Sequence, residues 1–294
     1  MHDMIEMLRV AVWRVRANIV FWIILSLTSF PLAQAWSWGE DGHSIVAEIA
    51  QRRLTPEASA AVDRILGHNH SLASVASWAD DYRDQDPTTA PWHFVDIPVD
   101  VMQFDPTTEC INDGCVIAQL NRLRNDLRCA STDQLKKDAL RFAVHFVGDI
   151  HQPLHTVADS RGGNEIQVDV FMRGKICTGS CNPTHIHTNL HAAWDAHLIQ
   201  KTVWDWGAYV ERLEDGWLKS EEAAGADSGA PLDWALETHA AAPGVWNSVP
   251  SNKVLDDEYY TAILPVLDRQ LGRAGIRLAR FLNDAYGSGV CPVP

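Results

Sequence analysis

Two segments with helical patterning each place a histidine four residues ahead of an aspartate in an otherwise apolar setting, and no other feature limits the fold as strongly. The first is Arg141-Phe142-Ala143-Val144-His145-Phe146-Val147-Gly148-Asp149; the second is Asn189-Leu190-His191-Ala192-Ala193-Trp194-Asp195. On a helix, side chains four apart share a face, with Cβ atoms about 5–6 Å apart. So apolar a face has to be buried, and an unpaired ion costs several kcal/mol to bury. One such pair reads as an ordinary ion pair on a helix. Two of them read as a core that closes around metal, because imidazole and carboxylate are ligands that zinc takes, at roughly 2.0–2.2 Å.

Composition decides what surrounds these helices. With 294 residues, 46% of them hydrophobic, the chain can bury a full core. The formal charge of −14 excludes a nucleic-acid binder that grips phosphate with a Lys/Arg surface. Bound dications are the exception, since they make a site positive inside an acidic protein. At the amino end, Arg9, Arg14 and Arg16 precede the apolar run Ile19–Leu25 and the small residues Ala33, Ala35 and Ser37, which together read as an export signal. The run is soon broken by Pro31, so an uncleaved membrane anchor is the weaker reading. Six cysteines fit an oxidising compartment. Of about fifteen full pairings, the economical one staples Cys110 to Cys115 and Cys177 to Cys181 and leaves Cys129 with Cys291, while the rival, a thiolate metal site, lacks the usual two-residue spacing.

The periodicity predicts a mainly α single domain with a small β-hairpin. Helical patterns run over residues 43–66, restarting at Thr55-Pro56, and over 71–82, 114–128, 133–150, 189–201, 203–220 and 257–286. Residues 84–112 read as loop with short extended pieces, and Ile166, Val168 and Val170 alternate as a strand. Residues 173–188 read as a polar loop, and 221–231 as a mobile Ala/Gly/Ser-rich connection.

Six strings then occur in order: Trp38-Gly39-Glu40-Asp41-Gly42-His43, Ser77-Trp78-Ala79-Asp80-Asp81-Tyr82-Arg83, Trp92-His93-Phe94-Val95-Asp96, His145 through His155 (HFVGDIHQPLH), Gly162-Gly163-Asn164, and Asn189 through Asp195. Together they resemble the trinuclear-zinc single-strand nucleases of fungi, plants and bacteria, from Trp38 to about Tyr286. The resemblance implies a helical domain of the zinc phospholipase C and nuclease type over residues 38–287, behind a leader of 1–37 and ahead of a tail of 288–294. It implies three zinc ions. One would take Asp80, His93, His145 and Asp149; the second Asp149, His43 and the amine and carbonyl of Trp38; the third His155, His191 and Asp195. A free Trp38 amine requires cleavage after Ser37.

The resemblance further implies that Asp96 orients the attacking water and Arg83 stabilises charge on the phosphoryl group. Phe94 would stack on a base and Asn164 support the site. Read singly, Arg83 is a surface cation, Asp96 a turn-capping carboxylate and Asn164 a turn residue. His185 and His187, in the loop before His191, are either further metal or substrate contacts or simply solvated. The expected activity is hydrolysis of single-stranded DNA or RNA to 5′-phosphates, with 3′-nucleotides as additional substrates. The expected protein is periplasmic or secreted, without stable membrane association after processing or an implied protein partner. The rival readings are a zinc phospholipase C acting on lipid head groups and a non-catalytic zinc-binding protein.

Overall fold

The computed structural model describes residues 38–172, 185–203, 205–287 and 291. The expected leader, the Cys177–Cys181 staple and most of the expected tail lie outside the described residues.

The longer helices, numbered in chain order, are α1 (Glu40–Gln51), α2 (Pro56–Leu66), α3 (Trp78–Gln85), α4 (Val116–Cys129), α5 (Asp133–Asp149), α6 (Trp206–Asp215), α7 (Pro231–His239) and α8 (Asp257–Gly287). Side-chain caps set several starts. Thr55 accepts from the Ala58 amide ahead of Pro56, and Thr132 accepts from Leu135, each satisfying a first-turn N–H that has no helical partner.

Helix α8 lies against α1, α2, α4 and α5. The apolar faces of α1 (Ile45, Val46, Ile49), α5 (Leu140, Val144, Val147) and α8 (Leu267, Leu271, Leu278) are all fully buried. Each such side chain contributes about 1.5–3 kcal/mol of burial free energy. This packing fixes α5, and with it His145 and Asp149, in the middle of the molecule.

The chain also makes a three-stranded sheet in the order β2-β1-β3, in which β1 (Gln167–Phe171) and β2 (His185–Asn189) come between α5 and α6 and β3 (Val254–Leu255) comes just before α8. Strands β1 and β2 are antiparallel, with Val168 opposite Thr188 and Val170 opposite Ile186; β3 joins β1 in parallel. Asn189 ends β2 and caps the next helix by accepting from the Ala192 amide at 2.8 Å. That helix is interrupted: α turns at Leu190–Ala192 and Leu198–Thr202 flank a π segment, Ala193–His197.

Three expectations change. The last residues of the stretch read as a polar loop are a strand, because His185–Asn189 pairs with β1; its outward side is exposed, so an apolar alternation never shows in the sequence. Within the stretch read as a mobile connection, Glu221–Ala224 is a helical turn capped by Ser220. Helix α7 and the turn Ala242–Asn247, which the periodicity did not single out, bury Trp234, Ala235, Ala242 and Val245. Disulfides join Cys110 to Cys115 and Cys129 to Cys291, two of the three pairs of the economical assignment. Among the described residues, no helix is long and apolar enough to cross a membrane.

Candidate metal centre

Six separate elements deliver histidine or aspartate to one buried place. Helix α1 brings His43, α3 brings Asp80, a 3-10 turn ends on His93, α5 brings His145 and Asp149, and a second 3-10 turn brings His155. The interrupted helix adds His191 from its first turn and Asp195 from its π segment. All eight are buried, none more than 6% exposed.

Asp149 is the hub. Its Oδ2 lies 3.0 Å from His93 Nδ1 and 3.3 Å from His145 Nε2, while Oδ1 lies 3.4 Å from His43 Nε2. The two oxygens of one carboxylate therefore face two different groups of ligands. Asp80 Oδ1 stands 3.7 Å from His145 Nε2 and 3.8 Å from His93 Nδ1. The remaining group has His191 Nε2 at 3.5 Å from Asp195 Oδ2 and 3.1 Å from His155 Nε2. Three sets can each converge on one ion: His43, His145 and Asp149; Asp80, His93 and His145; His155, His191 and Asp195.

Backbone carbonyls aim the rings. His145 Nδ1 donates to Ala76 O at 2.7 Å, His155 Nδ1 to His93 O at 2.9 Å, and His191 Nδ1 to Gly162 O at 2.7 Å. Each bond fixes the neutral tautomer that leaves Nε2 as a lone pair pointing into the centre. His155 and His191 thus present two lone pairs to each other at 3.1 Å. A cation between them removes that repulsion. Asp195 Oδ2 is buried without a hydrogen-bond donor, and Asp80 Oδ1 makes no hydrogen bond although the Arg83 guanidinium pairs with it at 3.4 Å; a dication satisfies both oxygens.

Electrostatics tell the same story. Burial, reinforced by neighbouring carboxylates, pushes Asp149 well above the usual carboxylate range, and burial raises Asp195 and Asp80 as well. Burial and adjacent imidazoles hold His43 and His93 well below 6.5, and burial takes His191 down to about 4. The protein alone therefore disfavours every charge in the centre. Neutral imidazole nitrogens and carboxylate oxygens, crowded and partly unpaired, are a donor set that fits dications of the zinc type.

Two glycines make the approach possible. A Cβ on Gly148 would sit 2.7 Å from His43 Nδ1, so only glycine lets α1 lie there against α5. Gly162 has φ +62°, and a Cβ there would sit 2.5 Å from Leu154 O and 3.1 Å from His191 Nδ1. Trp38, fully buried, donates its indole N–H to Gly148 O at 2.9 Å, and the Gly39 amide donates to Asp195 O at 2.8 Å. The beginning of the domain is thus pinned to both ligand-bearing helices.

Of the other expected residues, Arg83 reaches the centre, with Nη2 at 3.4 Å from Asp80 Oδ1. Phe94 and Asp96 lie on the extended stretch that follows His93, where Val95 and Ile97 are buried and Asp96 is exposed. That stretch is tied to the His155 turn by Val95 N to His155 O at 2.9 Å and by a bridge between Ile97 and Val157. Asp96 makes no ion pair among the described residues, yet the surrounding protein still pushes its carboxyl upward by desolvation. Asn164 donates to Arg161 O at 2.8 Å within the turn whose Gly162 orients His191. Asp96, Phe94 and Asn164 therefore sit beside the ligand groups without joining them.

Sequence reasoning passed over Gln152. Its Nε2 donates to Asp195 Oδ1 at 2.7 Å and its Oε1 accepts from the Leu154 amide at 2.5 Å. The signal was present, because Gln152 lies inside the string that carries Asp149 and His155. His151, in the same string, is no ligand: it donates to Val147 O and accepts from the buried Arg277.

Comparison with known proteins agrees with this geometry. A family profile described as S1/P1 Nuclease matches residues 38–287. Nuclease P1 of Penicillium citrinum is 30% identical over 284 residues, covering 86% of this chain and 99% of its own length. Nuclease S1 of Aspergillus oryzae is 30% identical over 287 residues, covering 88% and 96%. Endonuclease 2 of Arabidopsis thaliana is 28% identical over 297 residues, covering 92% and 98%. A buried histidine–aspartate centre on this helical frame, matched from Trp38 to Gly287, makes the chain a nuclease that belongs to the S1/P1 nuclease family.

Proposed function

We propose that the protein is an exported zinc phosphodiesterase that cuts single-stranded DNA and RNA to 5′-phosphate products and also removes phosphate from 3′-nucleotides. The observation that carries this reading is the convergence on Asp149, whose two oxygens face separate ligand groups. One zinc is assigned to Asp80, His93, His145 and Asp149. A second is assigned to His43, Asp149 and the amine and carbonyl of a Trp38 freed by cleavage after Ser37. A third is assigned to His155, His191 and Asp195. Bound dications supply Lewis-acid stabilisation of phosphoryl oxygens and a water acidic enough to attack near neutral pH.

The chain's own residues do the rest. Asp96, exposed and raised by desolvation, takes the proton of the attacking water and holds that water in line. Arg83, anchored on Asp80, offsets the charge that develops on the phosphoryl group. Phe94, half-buried next to His93, stacks on one base, which favours strands whose bases are not already stacked in a duplex. Asn164 steadies the Gly162 turn and so the His191 ring.

The test is Asp96→Asn in the mature protein. Metal content should stay at the wild-type value while hydrolysis of single-stranded DNA falls about 10²–10⁴-fold. Undiminished turnover would remove Asp96 from the mechanism. If the zinc-loaded wild type released no nucleotide from single-stranded DNA or RNA at any pH from acidic to neutral, the proposed substrate would be wrong. Mass spectrometry of the native mature protein tests the amine ligand, with Trp38 expected as its first residue.

A further inference from the structure

We propose that the outward face of the β1–β2 hairpin is a separate, solvent-accessible site for a dication of the zinc type, with His187 and His185 as ligands and Asp169 as the group that orients His187. This inference is independent of the nuclease reading, because none of these residues belongs to the buried centre.

The register places His187 opposite Asp169 and His185 opposite Phe171. Side chains alternate along a strand, so His185 and His187 share one face, with Cα atoms about 6.6 Å apart from a rise of ~3.3 Å per residue. Ile186 between them points to the other side. Both histidines are exposed, and the His187 side chain retains 71% of its accessible surface.

His187 Nδ1 donates to Asp169 Oδ1 at 3.0 Å. A carboxylate on Nδ1 fixes the tautomer and makes Nε2 a stronger donor to metal, the arrangement that characteristically supports zinc-bound histidine. Among the described residues Nε2 makes no hydrogen bond or ion pair. His185 makes no hydrogen bond among the described residues, and its ring lies beside Phe171 at 5.7 Å between centroids. Rotation of an exposed imidazole is cheap, and two rings on adjacent outward positions can each reach one ion at roughly 2.0–2.1 Å. Two protein ligands leave two positions of a tetrahedral ion open to water or an anion, so the bound ion exchanges readily. Copper(II) should bind the same pair more tightly than zinc does.

The molecule contains its own control. His68 and His70 are also exposed and two residues apart, but they flank Asn69 at φ +72° in a turn, and neither is hydrogen-bonded to a carboxylate among the described residues.

The experiment uses the untagged mature protein with its tightly held ions in place. Equilibrium dialysis against micromolar free zinc should give the wild type one more bound ion than His187→Ala, and the wild type should be retained on an immobilised-zinc column from which His185→Ala/His187→Ala elutes early. Asp169→Asn should weaken the additional ion about 10–100-fold. His68→Ala/His70→Ala should behave as wild type. At low free zinc all four variants should hydrolyse single-stranded DNA at the wild-type rate, which shows that the fold and the buried centre are intact. Equal zinc in wild type and His187→Ala would overturn the proposal, as would retention that is lost only in the His68/His70 variant.

Discussion

Asp149 and Asp96 are carboxylates assigned to one centre under opposite circumstances. Asp149 is fully buried at the end of a helix whose whole inner face is core, and His43, His93 and His145 surround it. Asp96 is exposed on an extended stretch held by two backbone contacts to the His155 turn. What differs is how much of the protein specifies each position. The place of Asp149 follows from the packing of α1, α5 and α8, whereas that of Asp96 follows from one short pairing. Changes at the floor should therefore damage metal content, stability and activity together. Changes at the rim should alter turnover or substrate affinity and leave the metal alone.

The largest expected effect is at the floor. Asp149→Asn removes the shared carboxylate and should lower activity on the order of 10³-fold, matching the 3–5 kcal/mol lost when one partner leaves a buried charged cluster. Metal analysis should show fewer than three ions per chain; a full complement of metal would break the contrast. Next comes removal of the metal itself. Without it, burial raises the folded-state pKa of Asp149 and Asp195 above the unfolded 3.8, so their contribution to stability falls as pH climbs through that range. His43 and His191 run the other way: lowered beneath 6.5, they cost stability as pH drops below that value. Bound dications need ionised carboxylates and neutral imidazoles, so protons compete with metal. A chelator should lower Tm by on the order of 10 °C at pH 7 and by clearly less at pH 5. Calorimetry showing an equal or larger drop at pH 5 would count against a metal-filled centre.

Smaller effects sharpen the boundary between the two regions. Gln152→Leu leaves Asp195 without its 2.7 Å donor and should weaken one ion about 10–100-fold while the others stay bound, as read by chelator competition. Phe94→Ala should raise KM for single strands by roughly 5-fold, from the loss of about 1 kcal/mol of stacking, with kcat and metal content unchanged. Metal loss in the Phe94 variant would move that residue from rim to floor.

The same contrast explains what could be read from the chain. The His145–Asp149 and His191–Asp195 pairs were legible because helical spacing and apolar neighbours both act locally. His43, Asp80, His93 and His155 carried no local signal of their own; resemblance alone joined them, and the structure brings them together through the packing of distant elements. Gln152 escaped because an amide in a turn has many ordinary uses, and only the fold reveals Asp195 opposite it. Strand β2 escaped because its exposed side carries histidines, so its pairing depends on β1 rather than on its own composition. Helix α7 was hidden behind the small residues that precede Pro231.

The bridge between Cys129 and Cys291 spans 162 positions, and His145, Asp149, His155, His191 and Asp195 all lie between its ends. That clasp cannot shut until the entire second half of the molecule has been synthesised. All five donors are therefore already present in the chain when the covalent seal forms, and once formed it holds them inside one closed loop.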